Sequence, residues 1–340
     1  MSTTSKPREI FVPETLVYVL KRILQAIFTL FLASVLSFLI IQLAPGDFLD
    51  TLRQNPQMSE ETLLDLQTRF GLDKPILTQY GLWIWRVVRY FDFGISFESF
   101  RPVHELLIER VPATLLLAFT SIIGTWAIAI PLGVLSAVKQ NTLLDKFLRV
   151  ISYLGQGLPS FITALALLMV AQRLSPLLPV GGMTSINFSD LPWYGKIADI
   201  AWHMILPTIA LSLTGFAGLQ RLTRGQLLDV LRQDYIQTAR AKGLPENKVI
   251  YVHALRNAIN PLITLLGFEF ASLLSGSFIS EFFFNWPGLG TLTLSAVQSQ
   301  DLYLVMAALM MSATMLIVGN LLADLLLKFV DPRIKLEDLK

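Results

Sequence analysis

The chain has no cysteine, so it carries neither a disulfide nor a thiolate metal ligand, and its redox compartment stays open. Charge is also scarce. Only 15% of the 340 residues are Asp, Glu, Lys or Arg, against 53% hydrophobic residues, a balance that places the chain among polytopic membrane proteins. A phosphate-cradling Gly-x-x-x-x-Gly-Lys-Ser/Thr loop is missing too: the one Gly-Lys pair, Gly195-Lys196, is followed by Ile197. His104-Glu105 begins like a zinc-protease helix, but Ile108 stands where the second imidazole would have to be. For a serine hydrolase, His203 and the serine of Gly94-Ile-Ser96 fall in segments with no evident common depth. No small-residue cleavage site follows the first apolar run, so no cleavable signal peptide is expected.

What is present is long apolar segments. Six are long enough to cross about 30 Å of hydrocarbon as helices: Ile23–Ala44, Ala113–Val138, Val150–Gln172, Ile205–Leu222, Leu262–Phe284 and Tyr303–Phe329. Inside a bilayer each backbone must satisfy its own polar groups, so an all-α bundle is expected and an open sheet is excluded. Pro207, Gly215 and Gly218 are expected to interrupt the fourth span. Basic residues set the orientation. With the N-terminus cytoplasmic, eighteen of the twenty-seven Lys and Arg fall on the inner side, and the loop from Asn285 to Leu302 has none. Both termini are therefore predicted to be cytoplasmic.

Two polar segments are too long for turns. Residues 45–111 form a folded outer segment with a helix at Ser59–Phe70, Ser59 capping it and Glu60 and Glu61 lying at its positive end. Residues 222–261 form the other. From Arg221 through Pro261, both included, the chain carries seven Lys or Arg, and apolar residues at Leu227, Val230, Leu231, Tyr235 and Thr238/Ala239 make one helical stripe. Gly243 is expected to stop that helix in a left-handed cap, and Pro245 to bar its continuation. A second stripe follows at Val249, Val252, Leu255 and Ile259. Helix, glycine break and helix on the basic side suit a docking site for a cytoplasmic partner.

The segment Asp234-Tyr-Ile-Gln-Thr-Ala-Arg-Ala-Lys-Gly-Leu-Pro through His253-Ala-Leu-Arg-Asn-Ala resembles the loop of permease subunits of ABC importers, with Gln237-Thr238-Ala239 at the Glu-Ala-Ala place of the consensus and Gly243 at its glycine. Its departures match the dipeptide/oligopeptide/nickel branch. So do Leu43-Ala-Pro-Gly-Asp47, Phe70-Gly-Leu-Asp-Lys-Pro75, Gln79-Tyr80, Asp92-Phe-Gly-Ile-Ser-Phe97, Phe284-Asn-Trp-Pro-Gly-Leu-Gly290 and Asp331-Pro-Arg-Ile334, so that the resemblance runs from about residue 18 to about residue 335.

The resemblance implies a type I ABC importer permease: a variable lead over 1–15, a transmembrane domain over 16–335 and a short tail over 336–340. It implies a bacterial inner-membrane location, a second homologous permease, two ATPase subunits or domains, an extracytoplasmic solute-binding protein, and no nucleic-acid partner. ATP and Mg would bind the ATPases, and this chain itself would hold no cofactor and no metal. The cargo implied is a di- or oligopeptide, with nickel chelates, glutathione-like compounds and small glycans as the alternatives within the class. An ion-coupled secondary transporter is the rival from outside it, but the chain shows no repeat with paired broken helices. By the same resemblance, Asp234, Tyr235, Thr238, Ala239, Arg240, Ala241, Lys242, Gly243, Leu244, His253, Arg256 and Asn257 form the ATPase-coupling surface.

Ionisable or polar groups inside spans are costly and so are candidates for the pathway. Glu269, Gln156 and Gln42 are those candidates, with Glu269 either facing solute or holding helices together through a hydrogen bond. Asp324, four residues before Lys328, is expected to serve structure. Arg221 and Arg224 either anchor to lipid phosphate or reach the ATPase. The run Gly155-Gln-Gly-Leu-Pro159-Ser160 loosens the third span where a pathway helix must bend, while Gly215, Gly218 and Gly276 permit close helix packing.

Overall fold

The computed structural model describes residues 14–43, 46, 48–53, 59–263, 265–266, 269 and 277–330. The N-terminal lead, the tail motif from Asp331, Gly276 and most of the fifth expected span lie outside those residues. Among the described residues the chain is helical, with one isolated antiparallel bridge between Ile95 and Pro102.

Four helices are long and apolar enough to cross a membrane by length and composition. They are α1 (Glu14–Leu43), α5 (Val103–Val138), α8 (Trp193–Leu231) and α14 (Leu302–Val330). A fifth candidate is the pair α6 (Leu143–Gly157) and α7 (Ser160–Arg173), bent by 104° at Leu158-Pro159. The third expected span is thus two helices. Pro159 lacks the amide that would continue α6, and Gly157 just before it lowers the cost of leaving the helix.

Two boundaries differ from expectation. α8 runs unbroken for 39 residues, with Pro207 inside it. The neighbours keep it continuous, because Met204, Leu206, Ala210 and Leu211 are buried, and tertiary burial outweighs the lost backbone bond. α5 begins at Val103 and runs through Pro112, since Val103, Leu106 and Leu107 are buried in the unit that precedes it.

α5 and α8 pack along their length, and glycines set the approach. A Cβ on Gly133 would lie 2.6 Å from the Thr223 Cβ, and one on Gly124 would lie 2.8 Å from the Ser212 Oγ. Gly215 faces Thr125 in the same way, whereas Gly218 has nothing within 4 Å. α6 lies against α8, and α1 against α14.

Between α1 and α5 the chain folds into a compact unit of α2 (Phe48–Arg53), α3 (Glu60–Phe70) and α4 (Ile76–Tyr90). The Ser59 hydroxyl accepts the Thr62 amide, the cap expected of it, and Gly71 closes α3 in a left-handed cap. Phe48, Phe70, Phe97 and Tyr303 form an aromatic core, with the Phe70 and Phe97 centroids 4.3 Å apart. Asp301 fastens this unit to α14: fully buried, it accepts the Ser96 hydroxyl at 2.6 Å and the Phe97 amide at 2.7 Å, and with its other oxygen it caps α14 at Leu304.

Candidate functional site

At one end of the bundle α8 stops at Leu231, and a helical hairpin follows. Its first arm is α9 (Asp234–Ala241). The second is α10 (Glu246–Lys248), a π-helical turn Val249–Ala254 and α11 (Leu255–Ala258). Gly243, at φ +75°, joins them. The Leu244 amide donates to the Ala239 carbonyl and the Gly243 amide to the Arg240 carbonyl, the two bonds of a Schellman motif. Leu244 supplies the apolar contact that accompanies it.

The sequence stripes are corrected in two places. Leu227 to Ala239 is not one helix: the chain turns at Arg232-Gln233, and Ile236 rather than Tyr235 becomes the buried residue of α9. In the second arm the π-turn shifts the phase, so Val249, Ile250, Ala254 and Ala258 are buried while Val252 is exposed. Ile236, Ala239 and these four pack on Leu227 of α8 and on Val134 and Ala137 of α5. The hairpin is therefore seated on the ends of both long helices by a continuous apolar contact.

Its other face is open. Asp234, Tyr235, Thr238, Ala241, Lys242 and Gly243 are exposed on the first arm, as are Tyr251, Val252, Arg256 and Asn257 on the second. The Arg240 guanidinium spans the turn with two bonds to Glu246, at 2.6 and 3.2 Å. That bond holds the Glu246 carboxyl below the ordinary carboxylate range. The Asn257 amide donates to the Tyr235 hydroxyl at 2.9 Å and to the His253 carbonyl at 3.1 Å, tying the arms together. The expected coupling residues thus gather on one hairpin, with Ala239 facing inward as a packing residue and the others outward or at its edges.

The pathway candidates are not gathered. Glu269 is half-buried and accepts the Trp126 indole N–H of α5 at 2.7 Å. Gln156 is exposed near the bend. Gln42 lies at the far end of α1, its amide 3.5 Å from the Gln79 oxygen, beside a cavity of about 500 Å³ that Lys74 and Gln300 also line. Asp324 accepts the Tyr18 hydroxyl and Arg22 of α1 at 2.6 and 2.7 Å, a cross-helix tie that the reading through Lys328 missed.

Both arginines near the hairpin have partners within the chain. Arg224 makes two bonds to the fully buried Asp145, at 2.8 and 2.9 Å, and Arg221 lies over the Tyr153 ring at 5.2 Å. The Ser185 hydroxyl donates to Asp199 rather than to His203, so this cluster makes no nucleophile–base pair. Among the described residues no group of three or more His, Asp or Glu is placed to hold a metal ion.

A carboxylate absent from the sequence candidates organises the opposite end. Glu281 of α12 (Phe278–Phe283) is fully buried. It accepts the Thr114 and Ser277 hydroxyls at 2.7 and 2.9 Å and the Gly290 amide at 2.7 Å. The turn it holds, Phe284 to Gly290, leads into α13 (Leu289–Gln298) and plugs the fully buried Trp286 into the α5 backbone through a bond to the Ala113 carbonyl.

Comparison with known proteins agrees with this architecture. The family model described as "Binding-protein-dependent transport system inner membrane component" matches residues 129–336, and the model of the N-terminal part of such components matches residues 15–118. The chain is 40% identical over 319 residues to the oligopeptide transport system permease protein AppB of Bacillus subtilis (strain 168), covering 94% of this chain and 99% of that one. It is 37% identical over 334 residues to the dipeptide transport system permease protein DppB of Escherichia coli (strain K12), covering 94% and 98%. Among solved structures, an inward-facing MetNI methionine ABC transporter shares the fold with a TM-score of 0.52 at 16% identity, over 67% of this chain and 97% of that one.

Proposed function

The chain belongs to the family of binding-protein-dependent transport system inner membrane components, and from that membership we propose that it is the permease of a peptide ABC importer, forming half of a pathway for di- and oligopeptides. It is a multi-pass protein of the bacterial inner membrane and the transport component, not a catalytic one. The observation that carries the peptide assignment is likeness over almost the full length of two permeases, one named for oligopeptides and one for dipeptides. Membership implies an ATPase and a binding protein as partners.

In the proposed complex a second, homologous permease completes the pathway, and two ATPase subunits or domains bind ATP and Mg on the cytoplasmic side. Six spans and two cytoplasmic termini then place the Gly243 hairpin inside the cell, as its basic residues favour. The open face of α9 sits in a groove of an ATPase domain. Its seat on α5 and α8 supports a lever role, because a displaced hairpin must carry those helix ends with it. Alternating access is then rigid-body motion biased by nucleotide at a distant site.

The test is uptake of labelled dipeptides together with ATPase activity of the purified complex. Ala239→Glu puts a charge into the seat, and Gly243→Leu removes the left-handed cap. Both are expected to abolish uptake and substrate-stimulated hydrolysis while insertion persists. Normal stimulated hydrolysis in both variants would remove the hairpin from the coupling path.

A further inference from the structure

Asp145 has no place in the coupling surface or among the pathway candidates, yet it is the most completely engaged carboxylate near the hairpin. One oxygen accepts the Ser136 hydroxyl at 2.5 Å and the Arg224 Nε at 2.8 Å. The other accepts the Arg224 Nη2 and the Asn141 amide, each at 2.9 Å. A single side chain thus joins the end of α5, the turn after it, the first turn of α6 and the hairpin end of α8. Arg149, 3.6 Å away, adds positive charge at the rim.

Arg224 lies one helical turn from Leu227, the α8 residue in the hairpin seat. Farther along the same pair of helices, Ser152 and Gln220 are hydrogen-bonded at 2.6 Å, and Gly155 approaches Ala217. α6 is therefore fixed to α8 at three levels, and the chain then bends by 104° at Leu158-Pro159 into α7, whose Ala164 and Ala171 cluster with Leu206 and Ala210 of α8.

We infer that Arg224, acting through Asp145, is the positioning residue that passes hairpin movement to α6, leaving the Leu158-Pro159 bend to absorb the change. This rests on the importer reading above. A buried bidentate pair suits the task. It has one geometry, and a point-charge lysine cannot reproduce it. The pair resists shear better than apolar packing alone, which lets neighbouring helices slide.

The experiment uses the complete complex in lipid with Arg224→Lys, which keeps a cation beside the buried carboxylate so that assembly survives. The first readout is ATP hydrolysed per dipeptide imported, expected to rise about fivefold or more as hydrolysis loses its grip on the pathway. For the second, the chain's lack of cysteine makes introduced thiols unique within it. Spin labels at Leu143→Cys and Gln237→Cys, both on exposed positions, report the distance between α6 and α9. In the parent complex that distance is expected to stay fixed between nucleotide-free and trapped states, and in Arg224→Lys its distribution broadens.

A purely structural pair would lower yield or thermal stability and leave both readouts unchanged, and that result overturns the inference. Should Ala239→Glu retain stimulated hydrolysis, the hairpin reading itself fails. Should Ala239→Glu behave as expected while Arg224→Lys stays coupled, only this joint falls.

Discussion

Glu281 accepts the Thr114 hydroxyl at 2.7 Å across 167 residues of chain, and the same hydroxyl oxygen accepts the Leu289 amide at 2.8 Å. Thr114 is therefore a relay between α5 and the turn that follows α12. Glycines 288 and 290 leave room for the carboxylate: a Cβ on Gly288 would stand 2.3 Å from it.

Glu281→Ala strands the Gly290 amide and two hydroxyls in a buried site, at about 1–3 kcal/mol for each group left unsatisfied. Thermal unfolding of the complex in detergent is expected to fall steeply for this variant. Glu281→Gln keeps an oxygen facing the Gly290 amide and is expected to cost much less. Equal, small effects from both would show that the turn is held by Trp286 packing alone.

Two glycines are expected to fail for different reasons. At Gly243 nothing lies within 4 Å of a new Cβ, so Gly243→Ala carries only the left-handed backbone penalty of roughly 1–2 kcal/mol. At Gly133 the new Cβ meets Thr223 at 2.6 Å and the Gln220 carbonyl at 2.8 Å, so Gly133→Ala must push α5 off α8. Melting temperatures are expected to rank Gly133→Ala below Gly243→Ala. Thr223→Gly relieves one contact and leaves the other, so its rescue of Gly133→Ala is expected to be partial.

The elements whose cause is local were legible. Ser59 before two glutamates and Gly243 before a proline each specify a cap within a few residues, and both caps form. Prolines were ambiguous, because the chain decides by tertiary burial: Pro112, Pro131 and Pro207 sit inside unbroken helices, and Pro159 ends one. The π-turn at Val249–Ala254 was invisible to a 3.6-residue period. The buried carboxylates were missed for a related reason. Asp145 and Arg224 are 79 residues apart, and Ser96 and Asp301 are 205 apart, so no spacing rule connects them.

Acid is expected to loosen the hairpin. Glu246 is held below its ordinary range by Arg240, so its contribution is present above the unfolded carboxylate value of about 4.3 and is lost as pH falls through the lower folded value. With its side chain 54% exposed, the pair is worth at most about 1 kcal/mol. Amide exchange over residues 240–246, compared with Glu246→Gln at each pH, is expected to differ slightly from neutrality down to the unfolded carboxylate value of about 4.3 and to converge only below it, as pH falls through the folded value. A difference that grows on acidification would contradict the sign.

Asp301 carries two duties that a substitution can separate. As the cap of α14 it needs one acceptor, for the Leu304 amide; as the anchor of the unit before α5 it needs a second, for the Phe97 amide and the Ser96 hydroxyl. Asparagine supplies only one. Whichever way the amide turns, its NH2 meets a backbone N–H, so Asp301→Asn is expected to cost about 2–3 kcal/mol despite its near-identical shape. Serine keeps the cap and abandons the anchor. Amide exchange in Asp301→Ser is expected to quicken over residues 94–100 while the first turn of α14 keeps its protection, and protection lost equally in both places would mean that cap and anchor form one cooperative unit.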